Sequence, residues 1–403
     1  MKILVICQYY YPESFRINDI CKEMVKRGHE ITVVTGEPNY PEGKIYKGYE
    51  NHAKSDDIIN GVNVHRCPII PRKTGTLYRF LNYFSYPKEA KKYVKNLLAS
   101  DGKPFDVVFV NQLSPVMMAE PAIAYKKKFN VPIVMYCLDL WPESLVAGGI
   151  TRTSPIYKVF HWISRRIYRQ MDRILITSRM FRKYLVDEFG IQDGRIEYLP
   201  QYAEGLFEPL PFKEPGAVVD LVFAGNIGEI QSVETIIRAA EKLQHRSLHF
   251  HIVGGGTDLE RLMGLAEGLR NVTFYGRRPL EEMPKFYNMA DAMLVTLKAD
   301  PVLSLTLPGK VQSYMAVGKP IIGAIDGETA KVIKDSKCGY CALAENVDDF
   351  INAIELFLNC NQKETLGNNA RRYYLENFET NKVMDKLEMI LYNYVLKDAI
   401  PEE

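Results

Sequence analysis

The sequence lacks several patterns that would each identify a kind of site. No Asp-x-Asp pair occurs in its 403 residues, which disfavours anchoring of a nucleotide diphosphate through a metal ion. His249 and His251 share one strand face but have no third metal ligand in the pattern. The first strand-like run leads into Tyr9-Tyr10-Tyr11-Pro12-Glu13 without Gly-x-Gly-x-x-Gly, which argues against NAD. Lys and Arg number 51 against 49 Asp and Glu, so no global charge indicates a nucleic-acid partner.

Cysteine is sparse, and long apolar runs are missing. The seven cysteines are scattered and odd in number, which is typical of reduced thiols in the cytosol. Cys338 and Cys341 have redox spacing but lack the helix start of a thioredoxin-like site. The opening MKILVICQ is too short in apolar residues for a signal peptide, and Val131–Leu138 is far below the ~18 residues of a membrane span. We expect a cytoplasmic protein, at most peripheral on the inner face of the cell membrane.

What the sequence does contain is an alternation of short β-branched runs and helical patterns. Hydrophobic residues make up 47%, enough for two domains with their own cores. Continuous rather than alternating apolar runs predict strands buried on both faces of parallel sheets. The predicted strands are Lys2–Gln8, Glu30–Gly36, Asp106–Gln112, Pro132–Asp139, Arg173–Ser178, Asp220–Asn226, Leu248–Gly254, Val272–Gly276, Ala292–Leu297, Pro320–Ile325 and Tyr340–Leu343.

The series of runs is interrupted at Leu199–Asp220, where four prolines fix φ and remove backbone donors. We interpret this segment as a linker between two doubly wound, Rossmann-like α/β domains, residues 1–200 and 216–380, that face a central crevice. The helical stretch 381–403 is expected to return to the N-terminal domain. Ligands in open α/β sheets bind outside the carboxyl ends of the strands, so residues at those ends are the first candidates.

Three strand ends of the second domain carry residues suited to an anion. Gly225-Asn226-Ile227-Gly228 and Gly254-Gly255-Gly256 follow two successive strands, and Leu307-Pro308-Gly309-Lys310 precedes a helix. Glycines allow a ligand to approach the backbone, and a helix N-terminus with a lysine favours a phosphate. The alternatives are ordinary tight turns for the glycines and a surface position for Lys310.

One strand end of the first domain carries two carboxylates. Asp139 and Glu143 flank Trp141 in the run Leu138-Asp139-Leu140-Trp141-Pro142-Glu143-Ser144. Such a pair suits polyol recognition or general-base catalysis. Equally, Asp139 could cap the following helix while Trp141 fills the core.

Positive charge is concentrated in two segments of the first domain. Residues 72–95 have a net charge of about +6 and residues 151–173 of about +5, and aromatic side chains are interleaved with the cations in both. This combination is typical of a surface that faces anionic lipid. A solvated basic helix with an ordinary core face is the alternative.

The chain resembles, over essentially its full length, the family 4 glycosyltransferases, and most closely the bacterial branch that builds capsule, O-antigen or exopolysaccharide. Each motif is short, but their order and spacing match. The stretches that carry the resemblance are Tyr10-Tyr11-Pro12-Glu13, Gly28–Thr35, Gly36–Gly43, Asp139–Ser144, Gly225–Gly228 and Tyr314–Pro320.

The resemblance implies the GT-B fold, a nucleotide-sugar donor that is usually UDP-linked, and transfer with retention at the anomeric carbon. The resemblance implies no metal ion and no cofactor for this chain. Asp139 and Glu143 would face the acceptor, a lipid-linked or glycan molecule, or the reacting sugar. The diphosphate and nucleotide would be held by Gly225, Asn226, Gly228, Gly254, Gly255, Arg277 and Lys310.

The sequence departs from the family pattern at the donor site. The family's Glu-x7-Glu pair is replaced by Leu305 and Ser313, and its Arg and Lys after the second domain's first strand by Asn226 and Gln231. Lys310 is expected to compensate for the lost cations. Glu328 is the nearest candidate carboxylate for the ribose.

Three functions therefore remain in view: an active retaining hexosyl- or N-acetylhexosaminyltransferase, a catalytically silent partner subunit of another transferase, and a UDP-sugar epimerase of the same fold. The first is the favoured interpretation. The missing carboxylates favour the second, and the basic aromatic segments count against the third because an epimerase needs no acceptor surface.

Overall fold

The computed structural model describes residues 1–71, 76–147, 149–214 and 216–397. Arg72 and Lys73 of the first basic segment, Pro215 of the predicted linker and the last six residues of the predicted 381–403 stretch lie outside the described residues. The chain divides into two compact units. Unit 1 comprises Met1–Thr177, Phe181–Leu199 and the segment from Met384 onward, and unit 2 comprises Ser178–Met180 and Pro200–Val383.

Unit 1 is built on an eight-stranded sheet in the order β3-β4-β2-β1-β5-β6-β7-β8. All neighbouring pairs are parallel except β3 with β4. The strands are β1 Lys2–Ile6, β2 Glu30–Gly36, β3 Asp56–Ile59, β4 Val62–Cys67, β5 Val107–Gln112, β6 Ile133–Cys137, β7 Arg173–Ile176 and β8 Ile196–Tyr198. The helices are α1 Arg16–Lys26, α2 Thr76–Val94, α3 Glu120–Phe129, α4 Glu143–Ala147, α5 Pro155–Tyr168 and α6 Phe181–Phe189.

Unit 2 is built on a six-stranded parallel sheet in the order β11-β10-β9-β12-β13-β14. The strands are β9 Val219–Ala224, β10 Leu248–Val253, β11 Val272–Gly276, β12 Ala292–Thr296, β13 Ile321–Ala324 and β14 Gly339–Ala342. The helices are α7 Glu234–Lys242, α8 Leu259–Leu265, α9 Met283–Met289, α10 Gly309–Ala316, α11 Gly327–Ser336, α12 Val347–Leu358 and α13 Lys363–Asn377, followed by α14 Thr380–Lys397, most of which belongs to unit 1.

Alternate residues of the unit 2 strands enter two separate cores. Val222 and Ala224 belong to one apolar cluster, and Leu221 and Phe223 belong to the other. Each face of the sheet is therefore covered, which explains why the strands appear as continuous apolar runs in the sequence.

Each predicted strand is present, with ends that differ by up to two residues, but three strands of unit 1 were not predicted. β4 alternates buried Val62 and Val64 with exposed Asn63, and β3 lies at the sheet edge with a largely open face. β8 has only three residues. An alternating strand, an exposed edge strand and a three-residue strand do not appear as continuous apolar runs, so a search for such runs misses them.

Helix α14 packs against the first helix of unit 1. Arg27 Nη1 lies 2.6 Å from Asp385 Oδ1 and 3.0 Å from Glu388 Oε2. The His29 Nε2 atom lies 2.7 Å from the other oxygen of Glu388. Val383, Leu387, Ile390 and Leu391 are buried, as their helical spacing predicts.

Candidate functional site

The donor-site residues expected in unit 2 lie where the order of its sheet reverses. β9 lies between β10, the next strand in the chain, and β12, which the chain reaches only after the edge strand β11. This switch point, at the carboxyl end of β9, is the usual ligand position in open α/β sheets. Residues 225–228 follow β9 directly.

Helix α10 brings Lys310 to this point. Tyr314 OH donates to Ala224 O over 2.9 Å, which fixes the helix against the end of β9. Lys310, in the first turn, places Nζ 3.8 Å from the centre of the Phe223 ring. A Cβ atom on Gly225 would lie only 2.6 Å from that Nζ, so the amine rests against the glycine backbone.

The Lys310 amine is buried without a hydrogen-bond partner among the described residues. Burial disfavours the ammonium form and lowers the pKa of Lys310 to about 7. An anion at the start of α10 would supply the missing partner and would also meet the positive end of the helix. The interpretation of Lys310 as an ordinary surface lysine is wrong, because its Nζ atom is buried.

The glycine-rich loops after β9 and β10 pack against each other. A Cβ on Gly254 would lie 1.8 Å from Gly225 O, and one on Gly256 would lie 2.2 Å from Ile227 O. Gly225 N donates to Val253 O, and Ile227 N donates to Gly255 O. The glycines are therefore required by the close approach of two backbones.

This packing changes the role expected for the Gly225–Gly228 amides. Gly225 N and Ile227 N are bonded within the loops, and Gly228 N donates to Gln231 Oε1, which also accepts from the side chain of Asn226. Three of the four amides expected to face a diphosphate are thus already engaged. Lys310 Nζ, by contrast, is buried and has no hydrogen-bond partner among the residues that the structure describes.

Arg277 and Glu328 occupy different surroundings. Arg277 is exposed and lies beside Gly255, whose Cβ would be 3.4 Å from the arginine Cβ. Glu328, at the start of α11, is buried and accepts the Arg179 N–H over 3.2 Å. Burial raises the pKa of this carboxyl. Among the described residues, no hydrogen bond joins Glu328 to the Lys310 amine.

The structure also places beside α10 a carboxylate that the sequence did not indicate, that of Glu204. Ser313, one turn after Lys310, donates to Glu204 Oε2 over 3.1 Å. Ser313 occupies the place at which the family pattern has a glutamate, and Glu204 comes from the proline-rich linker 109 residues earlier. Nothing in the local sequence of either residue predicts this contact.

In unit 1, Asp139 follows β6 at the carboxyl edge of the sheet. Its Oδ2 accepts from the backbone and the hydroxyl of Ser114, both over 3.2 Å. Ser114 Oγ lies 2.8 Å from the hydroxyl of the exposed Ser144. Burial raises the pKa of Asp139, although both hydrogen bonds from Ser114 act in the opposite direction.

Glu143 is in a buried polar cluster. Its Oε1 accepts from Tyr157 OH over 2.8 Å and from Tyr184 OH over 2.7 Å, and its Oε2 pairs with Arg152 over 2.9 Å. Trp141 beside it is buried, with edge-on contacts to Tyr83 and Phe160. Trp141 thus fills the core. Both Glu143 oxygens are engaged by neighbouring side chains, which indicates a structural role for this carboxylate.

The basic segments contain the helices α2 and α5 of unit 1, which contact each other. The rings of Phe80 and Phe84 on α2 stack on Phe160 of α5, with centroids 5.6 and 6.3 Å apart. Among the described residues of the two helices, the exposed large apolar side chains are Tyr78, Leu81, Phe84, Ile156, Val159 and Trp162. The exposed cations that follow them are Lys88, Lys92, Lys95, Arg165, Arg166 and Arg169.

A cavity of about 690 Å³ lies elsewhere in unit 2, beside α7 and α8. Its cations are paired within the cavity wall: Arg261 with Glu234 and Asp258, and Lys298 with Glu229. Because these charges neutralise one another, the cavity lacks the unpaired cation that distinguishes the Lys310 region.

Across the described residues, we find no group of three or more His, Cys, Asp or Glu side chains arranged to hold a metal ion. In the same ranges, no helix combines the length and the apolar character that crossing a membrane requires.

Comparison with known proteins gives two family matches that together cover most of the chain. The glycosyl transferase 4-like domain matches residues 14–201, and the domain of the glycosyl transferases group 1 matches residues 211–373.

Individual relatives and solved structures are similar to the chain over most of its length. The chain is 27% identical over 343 residues to the putative colanic acid biosynthesis glycosyl transferase WcaI of Escherichia coli K12, covering 79% of this chain and 82% of that protein. It is 25% identical over 394 residues to N-acetyl-alpha-D-glucosaminyl L-malate synthase of Bacillus anthracis, covering 94% and 93%. The structure of Anabaena HepE with UDP and glucose superposes with a TM-score of 0.69 at 14% identity, covering 97% of this chain and 99% of HepE, which establishes the fold. The chain is therefore a family 4 glycosyltransferase with the GT-B fold, in which a glycosyl transferase 4-like domain is followed by a group 1 domain.

Proposed function

We propose that the protein transfers a hexosyl or N-acetylhexosaminyl group from a UDP-sugar to a lipid-linked or glycan acceptor in cell-surface polysaccharide synthesis, with retention and without a metal ion. The observation that carries the proposal is the buried, unpartnered amine of Lys310 at the start of α10, beside the loop that follows β9. Two phosphates supply the negative charge that this position lacks.

In the reaction, the bond between the anomeric carbon and the diphosphate oxygen breaks, and the acceptor hydroxyl forms a new bond on the same face. Negative charge grows on the departing diphosphate, so a cation placed there stabilises the transition state more than the ground state. We assign this role to Lys310, assisted by the N-terminus of α10 and by the exposed Arg277 beside Gly255.

The ribose is assigned to Glu204, in preference to Glu328. A nucleotide whose diphosphate contacts Lys310 can extend along the next turn of α10, where Ser313 holds the Glu204 carboxylate. The two oxygens of a carboxylate match the two neighbouring hydroxyls of a ribose. Glu328 is instead bonded to the backbone of Arg179.

In unit 1, Asp139 is the candidate group that receives the proton of the acceptor hydroxyl. Its raised pKa brings it closer to the range in which a carboxylate accepts a proton effectively. We assign Glu143 the supporting role of fixing the loop that carries Asp139, because the Glu143 oxygens are engaged by Tyr157, Tyr184 and Arg152.

The relatives support the substrate classes. The Escherichia coli relative bears a name from colanic acid biosynthesis, a Bacillus subtilis relative one from teichuronic acid biosynthesis, and HepE was solved with UDP and glucose. These names are consistent with a UDP-sugar donor and a polysaccharide product.

Titration of the full chain with UDP, GDP, ADP and dTDP tests the donor assignment. We expect UDP to bind, and Lys310→Met to weaken binding by about 30-fold or more, which corresponds to about 2 kcal/mol. Lys298→Met, a charge removal in the same unit, should leave UDP affinity unchanged. Absence of UDP binding, or equal loss in both variants, would overturn the assignment. UDP binding without turnover of any UDP-sugar and acceptor would indicate the silent subunit, and turnover without an acceptor the epimerase.

We also propose that the α2–α5 surface rests on anionic lipid. Six large apolar side chains are exposed on two adjacent helices, and cations follow them on both. Apolar residues enter the lipid boundary while Lys and Arg contact anionic headgroups. Such an attachment would bring the enzyme to a lipid-linked acceptor.

Sedimentation with vesicles tests this surface. Wild-type protein should bind vesicles that contain phosphatidylglycerol more strongly than pure phosphatidylcholine, and Phe84→Ala with Trp162→Ala should abolish the difference. Met389→Ala, which removes an equally exposed apolar side chain from α14, is the matched control and should bind as wild type. Equal binding by all variants would contradict the proposal.

A further inference from the structure

Three aromatic rings meet at the carboxyl edge of unit 1, in the loops that follow β1 and β2. Tyr9 stacks on Phe15 with centroids 5.2 Å apart, and Tyr40 lies 5.6 Å from the first ring and 5.5 Å from the second. Tyr9 is buried, whereas Tyr40 is 44% exposed. The two inner rings thus support an outer ring that solvent can reach.

Glu13 fixes the position of this outer ring. Its Oε1 accepts the backbone N–H groups of Asn39 and Tyr40, over 2.8 and 2.6 Å, and so ties the loop after β2 to the loop after β1. Tyr46 OH donates to the carbonyl of Tyr40 as well. An aromatic ring held from three directions loses little entropy when a ligand settles on it.

The same edge also carries hydrogen-bond acceptors without partners. Gln8 follows β1, and Gln112 ends the neighbouring strand β5, at the same level of the parallel ladder. The side-chain oxygens of both are buried and have no donor among the described residues. Asp139 follows the next strand, β6. Buried acceptors without donors are uncommon in native proteins and call for an explanation such as a ligand or an ordered water.

We propose that this edge, with Tyr40 as its outer face, binds the sugar ring of the acceptor, so that the protein extends a saccharide and does not glycosylate a bare lipid phosphate. This inference rests on the proposed glycosyltransferase function and names its acceptor class. A pyranose has a face of C–H groups that covers an aromatic ring, and its hydroxyls donate hydrogen bonds to oxygens of the glutamine and carboxylate type.

The charge at this edge argues against a phosphate acceptor. A phosphate needs donors and cations, but the groups described above are oxygen acceptors and carboxylates. Arg66, the buried arginine nearby, already donates to the carbonyls of Tyr11 and Lys54. Arg16, at the start of α1, likewise has an interaction of its own.

Saturation-transfer NMR on the full chain, with methyl glycosides of glucose, galactose, mannose and N-acetylglucosamine as probes, tests the inference. At least one glycoside should bind the wild type, and Tyr40→Ala should weaken it about tenfold, the effect of about 1.4 kcal/mol. Tyr40→Phe should retain most of the binding, because the ring is kept. Tyr11→Ala removes a tyrosine of similar exposure outside the three-ring cluster and should bind as wild type.

UDP affinity is measured on the same samples. An unchanged value in Tyr40→Ala shows that the variant is folded and that the loss belongs to unit 1. Glycoside binding that Tyr40→Ala leaves intact, or wild-type protein that binds an isoprenyl phosphate but no glycoside, overturns the inference. Absence of UDP binding in every sample contradicts the proposed donor and leaves the glycoside result to be judged separately.

Discussion

The carboxyl edges of the two sheets carry different kinds of functional groups. In unit 1 the edge has a cluster of three aromatic rings, the carboxyl groups of Glu13 and Asp139, and glutamine oxygens without donors among the described residues. In unit 2 it has glycines packed backbone to backbone and one buried amine. The two sheets thus present hydrogen-bond acceptors and rings in one unit and a buried amine in the other. A polyol suits the first and a diphosphate the second.

The largest effect is expected from the backbone packing of unit 2. In Gly254→Ala the new Cβ would collide with Gly225 O, and the residue has φ of +148°, so we expect a loss of about 4–5 kcal/mol in unfolding free energy. Gly264→Ala, in helix α8 with open space around its Cβ, should instead stabilise by a few tenths to about 1 kcal/mol. Chemical denaturation of both variants measures the difference. Similar stabilities would mean that the two loops are not in contact.

The next effect is on the pH dependence of unit 2. The pKa of Lys310 is lowered from 10.5 to about 7 on folding, so the unfolded chain binds one more proton between these values. Stability should therefore rise with pH across this window, by up to about 4 kcal/mol, and Lys310→Met should remove the rise. Hydrogen exchange of the β9 and α10 segments in the full chain measures it. UDP affinity should fall over the same range, since the neutral amine no longer attracts phosphate.

Removing the Glu143 carboxylate tests the support of the acceptor edge in unit 1. Glu143→Ala leaves Tyr157, Tyr184 and Arg152 without their common partner, and we expect a loss of about 3 kcal/mol. Asp139→Asn keeps the size of its side chain and should instead abolish transfer with little loss of stability. If Glu143→Ala is stable and inactive, Glu143 takes part in the reaction directly.

The smallest expected effect is on the stability of unit 1, which should depend on pH with the opposite sign to that of unit 2. The pKa of Glu13 is raised from 4.5 to about 7 by burial, so the folded form holds the extra proton between these values. The stability of unit 1 should fall as pH rises through this range, by about 2–3 kcal/mol, and Glu13→Gln should remove the fall. Exchange rates in β1 and β2 report it, and a rise in wild-type protection over this range would contradict the sign.

The sequence was sufficient for the features that depend on neighbouring residues. The apolar runs predict the buried strands, and a glycine and a lysine at a helix start indicate Lys310. Features that depend on distant contacts were not predictable. The carboxylate beside Ser313 comes from a linker 109 residues away, and one of the three partners that engage Glu143, Tyr184, lies 41 residues later in the chain. The sequence leaves a phosphate loop and a tight turn open for the glycines, because it cannot show that Gly254 contacts Gly225.

Helix α14 has a consequence for how the molecule is made. Arg27 and Asp385 are partners across 358 residues, and between them the chain forms all of unit 2 and most of unit 1. During synthesis, unit 2 can close as soon as its own strands have emerged, whereas unit 1 must wait for its last helix with part of its surface open. We expect a released chain truncated after residue 383 to resist protease in unit 2 and to be cleaved in unit 1. Unit 1, whose first strands are translated before unit 2, therefore finishes folding after it.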